Sequence, residues 1–87
     1  MSTFKLKRYE EEVIDDEHIR LHWIYTIDNS GYLEMINTFN ITEVNLSIVN
    51  GFIKALYNLY KEDEFDVIFR NMKYYYRNGF INAHKMY

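Results

Sequence analysis

Two histidines four residues apart, His18 and His22, are the pair in this chain whose type and spacing first suggest chemistry. On a helix, positions i and i+4 meet and could hold one zinc ion. Their segment, HIRLHWIYTI, alternates instead. Ile19, Leu21, Trp23, Tyr25 and Ile27 share one face; His18, Arg20, His22, Ile24 and Thr26 share the other. On such a strand the two rings stand about 13 Å apart, at about 3.3 Å per residue, too far to share a metal. The hydroxyls Ser30, in a turn, and Ser47, in a helical segment, lie in no nucleophile motif. The chain has no cysteine, and its three glycines are too scattered for a phosphate loop. Paired carboxylates do acid–base work only when buried at fixed spacing. The acids here cluster beside turns, where water solvates them. These residues argue against an enzyme, and neither metal nor cofactor is expected.

The carboxylates ask a different question. EEEVIDDE, Glu10 to Glu17, puts six acids into eight residues, although the formal net charge is only −3. They are Glu10, Glu11, Glu12, Asp15, Asp16 and Glu17. Glu62, Asp63, Glu64 and Asp66 form a second block, after which only cations follow: Arg70, Lys73, Arg77 and Lys85. One acidic run is ordinarily a solvated turn. Two runs, with Asp28 and Glu34 near another turn, suggest a surface that a cationic partner covers, because held like charges repel until such a partner replaces their counterions. Enzymes that handle nucleic acids carry basic surfaces of this kind. A small acidic domain could occupy one as a DNA mimic. That reading requires the carboxylates to converge, unneutralised by the chain's own arginines and lysines.

KYYYR, Lys73 to Arg77, supports an alternative. Read as helix, three consecutive tyrosines span about 200° of arc, so Tyr74, Tyr75 and Tyr76 cannot all face one core. An exposed tyrosine between cations can stack on bases and grip phosphates. Arg70, Lys73, Tyr75 and Arg77 would then make a small nucleic-acid-binding or regulatory module. The same composition suits a protein interface, including a homodimer.

The elements that position these groups follow from periodicity. Thr3 to Tyr9 alternates as a strand, with the acidic stretch in or beside the first turn. Asp28-Asn29-Ser30-Gly31 is a turn. Tyr32 to Ile41 returns as a third strand, with Leu33, Met35, Phe39 and Ile41 inward and Asn37 an odd polar member. Val44, Ile48, Phe52, Leu56 and Tyr60, joined by Val49, Ala55 and Leu59, then mark an amphipathic helix, capped by Thr42 or Asn45. Gly51 within it costs about 1 kcal/mol relative to alanine and suggests a close approach to the sheet. A second helix is expected from about Glu64 to Asn78, burying Phe65, Ile68, Phe69, Met72 and Tyr76, with Gly79 as its stop. The expected fold is α+β: a three-stranded antiparallel meander with two helices on one face, order β-β-β-α-α, in a single domain over residues 1–87. No apolar run approaches the ~20 residues of a membrane helix. The N-terminus lacks a signal-peptide core, and the absence of cysteine suits a reducing compartment. A cytoplasmic protein is expected. Abundant Asn, Ile and Lys without proline look like an AT-rich genome, such as a low-GC bacterium or its phages.

NLSIVNGFIKAL, the acidic-then-aromatic KEDEF, Asn71-Met72 and the Asp28-Asn29-Ser30-Gly31 turn together resemble the small acidic phage anti-CRISPR proteins that inhibit the type II CRISPR nuclease. The resemblance covers about half the chain and rests on ordinary helix patterns. It implies a non-enzymatic phage inhibitor whose inter-helix acids, here Glu62, Asp63, Glu64 and Asp66, mimic phosphate and base contacts at the site that reads the DNA motif beside the target. It also implies a hairpin, with Asp28, Asn29 and Glu34, that reaches toward a nuclease active site. The family's N-terminal helix is missing, and EEEVIDDE has no counterpart in it.

Overall fold

The computed structural model describes residues 4–28 and 31–86. The chain divides into two compact units, Met1–Glu43 and Val44–Tyr87. The first holds β1 (Phe4–Val13), β2 (His18–Ile27) and β3 (Gly31–Asn40), followed by a 3-10 turn at Ile41–Glu43. The second holds α1 (Leu46–Tyr60), β4 (Glu64–Phe69), β5 (Met72–Arg77) and β6 (Phe80–Lys85). Each unit carries its own three-stranded antiparallel sheet, ordered β1-β2-β3 and β4-β5-β6.

The meander forms in the first unit as the alternation demands. Ile19, Leu21, Trp23 and Tyr25 of β2 are buried, and Phe4 of β1 stacks on Tyr25 with ring centroids 4.6 Å apart. Leu33, Met35, Asn37 and Phe39 of β3 lie opposite Tyr25, Trp23, Leu21 and Ile19, so all four share that face. One feature escapes simple alternation. The β1–β2 register shifts between Leu6 and Arg8, leaving Lys7 as an extra residue. This bulge reverses the parity of β1, so Leu6 and Tyr9 face the same side, opposite Tyr25 and Trp23. The strand also continues through Glu10, Glu11 and Glu12, which lie in β1 and not in its turn.

In the second unit α1 starts at Asn45, whose side chain accepts from the amides of Ser47 and Ile48. It ends where Lys61 turns left-handed and its amide bonds Tyr57 O at 2.8 Å. Val49, Ile53 and Leu56 form its buried stripe, whereas Leu59 is 72% exposed. Phe52 packs edge-on against Phe69 of β4, and Tyr57 lies against Tyr76 of β5. Gly51 is exposed, with open space where a Cβ would stand, so no close approach explains it.

The expected second helix is replaced by two hairpins. Phe65, Val67 and Phe69 alternate inward along β4 and are buried. Arg70, at φ 57°, opens the two-residue turn to β5. Asn78 and Gly79, at φ 49° and 90°, form the turn to β6, and positive φ at both residues is what a type I′ hairpin requires. Gly79 is therefore a hairpin residue and not a helix stop. The order is β-β-β-α-β-β-β, with two sheets and one helix, and the expected β-β-β-α-α arrangement on a single sheet does not form. No helix among the described residues is long and apolar enough to cross a membrane.

Candidate partner-binding surfaces

The bulge at Lys7 decides which carboxylates leave the buried side of the first sheet. Glu10 lies opposite His22, and Glu12 opposite Arg20, so all four share the outer face, with Glu34 and Ile36 from β3. Acids and bases interleave there. Arg8 bonds Glu10, Arg20 Nη1 lies 3.0 Å from Glu12, and His22 sits between Glu10 at 3.7 Å and Glu34 at 3.1 Å. The His22–Glu34 contact lacks the alignment of a hydrogen bond. An open groove lined by Glu10, Glu12, Arg20, His22 and Ile36 runs across this face. On the other side of β1, Tyr9 donates to Glu11 at 2.8 Å.

The β1–β2 turn differs. Asp15 builds it: its Oδ1 accepts from the amides of Glu17 and His18 at 2.8 and 2.9 Å, and the His18 ring lies 2.9 Å away. The Glu17 amide first, and then the His18 ring, hold the Asp15 carboxyl below its usual 3.8. Asp16 and Glu17 carry exposed carboxylates with no ion-pair partner among the described residues. Beside them Val13 and Ile14 are 66% and 42% exposed. The tip thus offers apolar side chains and free negative charge together.

The second acidic block is also divided. Glu62 is half-buried and Asp63 exposed, and both precede β4 without lying between helices. Asp63 O accepts from the Asn78 amide at 2.8 Å, closing the end of the β4–β5 ladder. Glu64 and Asp66 stand on the outer face of the second sheet, opposite Arg77 and Tyr75. Lys73 reaches Asp66 at 3.3 Å, Arg77 Nε reaches Glu64 at 3.9 Å, and the Tyr75 hydroxyl donates to Glu64. That bond to Glu64 holds the Tyr75 phenol above its ordinary value of 10.0. The three tyrosines lie on a strand and alternate: Tyr74 and Tyr76 face the α1 side, and Tyr75 the other. Asp28 is exposed at φ 51° at the end of β2. Asn29 and Ser30 lie outside the described residues.

Two features that periodicity did not single out matter here. The apolar pair Val13-Ile14 inside the acidic run was visible as a break in its charge. Phe80, 74% exposed on β6, lies beyond Gly79, outside every element that periodicity marked. Among the described residues no group of three histidines or carboxylates could hold a metal ion. No protein-family model, curated protein or solved structure matches the chain.

Proposed function

We propose that this protein is a non-enzymatic inhibitor of phage or mobile-element origin that binds a host protein with a basic nucleic-acid-handling surface, acting in the bacterial cytoplasm. The observation that carries this reading is the β1–β2 tip, where Asp16 and Glu17, with no ion-pair partner among the described residues, stand beside exposed Val13 and Ile14. Apolar area supplies affinity, and carboxylates steer a cationic partner and select it. The strand acids contribute less, because Glu10, Glu12, Glu64 and Asp66 already face this chain's own arginines and lysines, and Glu34 lies against the His22 ring. The uniform phosphate mimic expected from composition fails its own condition, because most strand acids face the chain's own arginines and lysines; the reading rests on the compact acidic–apolar tip. The CRISPR effector nuclease enters through the family resemblance, and it is the first partner to test.

The test is binding to a type II CRISPR nuclease, and inhibition of its DNA cleavage, at low and high salt. Asp16→Lys with Glu17→Lys should weaken binding at least about tenfold, or about 1.4 kcal/mol, and make it less salt-sensitive. Affinity and inhibition unchanged by that reversal would sink the tip as the contact. No binding to the nuclease at low salt would remove this partner, and the wider reading would then stand or fall on other basic nucleic-acid enzymes tested in the same way.

A further inference from the structure

We propose that the protein forms a weak symmetric dimer through β6, with the β6 strands of two copies pairing antiparallel into one six-stranded sheet. Among the described residues β6 is an edge strand paired only with β5, and all six of its side chains are exposed. Its outer N–H and C=O groups ask for another extended strand, the partner that satisfies a sheet edge. The usual protections are absent. Phe80 to Ala83 carries no charge and no proline, and Phe80 and Ile81 are 74% and 38% exposed. The other edge of the same sheet is defended: β4 carries Glu64 and Asp66, which would meet like charges in a second copy. β1 is protected by its bulge at Lys7 and by its run of lysines and glutamates.

Side-chain parity narrows the register. Phe80, Asn82 and His84 lie opposite Arg77, Tyr75 and Lys73 on the outer face; Ile81, Ala83 and Lys85 lie on the α1 face. A two-fold axis through Asn82 keeps both faces in register. It sets Asn82 against its own copy, Phe80 against His84, and Ile81 against Ala83, with no two charged residues opposed. The extended sheet then carries both α1 helices on one face. Its other face has acids at the margins, lysine and arginine inside them, and phenylalanine and histidine at the centre. A six-residue edge buries less than the about 1,200 Å² of a standard interface, so the dimer belongs to the weak, concentration-dependent class.

Sedimentation of the full chain across a hundredfold concentration range should show reversible monomer–dimer exchange. Asn82→Asp sets two carboxylates against each other at the axis and should hold the protein monomeric, with its circular dichroism unchanged. The chain has no cysteine of its own, so Asn82→Cys gives a clean crosslink. Directly opposed residues stand within disulfide reach, and air oxidation should link Asn82→Cys much faster than Leu59→Cys, an exposed control site on α1 away from any sheet edge. A purely monomeric protein overturns the proposal, as does a dimer that Asn82→Asp leaves intact. Should Asn82→Asp fail to fold, crosslinking of Asn82→Cys no faster than the control overturns it equally.

Discussion

Arg70 distinguishes a hairpin from a helix at residues 64–78 by the sign of one energy difference. Its φ of 57° places a residue that bears a Cβ in the left-handed region, which costs a non-glycine residue about 1–2 kcal/mol. Glycine carries no such penalty. In the middle of a helix the order reverses, with alanine about 1 kcal/mol better than glycine. Comparing Arg70→Gly with Arg70→Ala removes the same guanidinium from both variants, so the contacts of that side chain cancel. The hairpin predicts that Arg70→Gly is the more stable by about 1 kcal/mol, and a helix predicts that Arg70→Ala is, by a similar amount. The two outcomes therefore differ by about 2 kcal/mol in total. Urea unfolding followed by far-ultraviolet circular dichroism resolves this, provided the slope m is common to both variants. If Arg70→Ala proves the more stable, the β4–β5 turn, and with it the second sheet, is wrong.

Other consequences are equally direct. Gly51→Ala should stabilise by up to about 1 kcal/mol, or about 4–8 °C in Tm for a chain of this size, because open space surrounds the site; a loss of stability would mean that Gly51 serves a contact. Asn45→Ala should cost about 1 kcal/mol by removing the α1 cap, measured as a shift in urea midpoint. Asp15→Ala should lose a contribution that is complete above pH 3.8 and disappears as pH falls through the lowered native value, since a depressed carboxyl stabilises only while ionised; a gap from wild type that does not narrow in acid would contradict the turn. Tyr75 runs the opposite way: its raised pKa gives a contribution present below pH 10.0 and lost as pH rises through the native value. In an ultraviolet titration, Glu64→Gln should bring that late-titrating tyrosine back toward 10.0.

The strand with the cleanest alternation, His18–Ile27, was legible to the residue, because its inward set of Ile19, Leu21, Trp23 and Tyr25 is large and unbroken. The start of α1 was legible because an asparagine cap precedes the four-residue apolar repeat. Residues 64–78 were misread because two periods fit them. Phe65, Ile68, Phe69, Met72 and Tyr76 satisfy a helical repeat, whereas Phe65, Val67 and Phe69 satisfy a strand. Short apolar runs carry this ambiguity. The deciding chemistry was local: Asn78-Gly79, whose positive φ angles suit a two-residue hairpin, and the run of tyrosines, which favour strands. The acidic surface was legible as composition only. Which carboxylates meet which cations depends on cross-strand register, and the shift at Lys7 shows in the sequence only as the three-residue step from Leu6 to Tyr9.

That extra residue makes the electrostatic face of β1 sensitive to events too small to alter composition. Were one codon lost at Lys7, either Phe4 and Leu6 would have to turn toward water, or Glu10 and Glu12 would swap sides with Glu11. Lineages descended from such a chain could thus invert the display of a strand without exchanging a single acid for a base. A deletion there would matter more to what the protein recognises than many substitutions elsewhere.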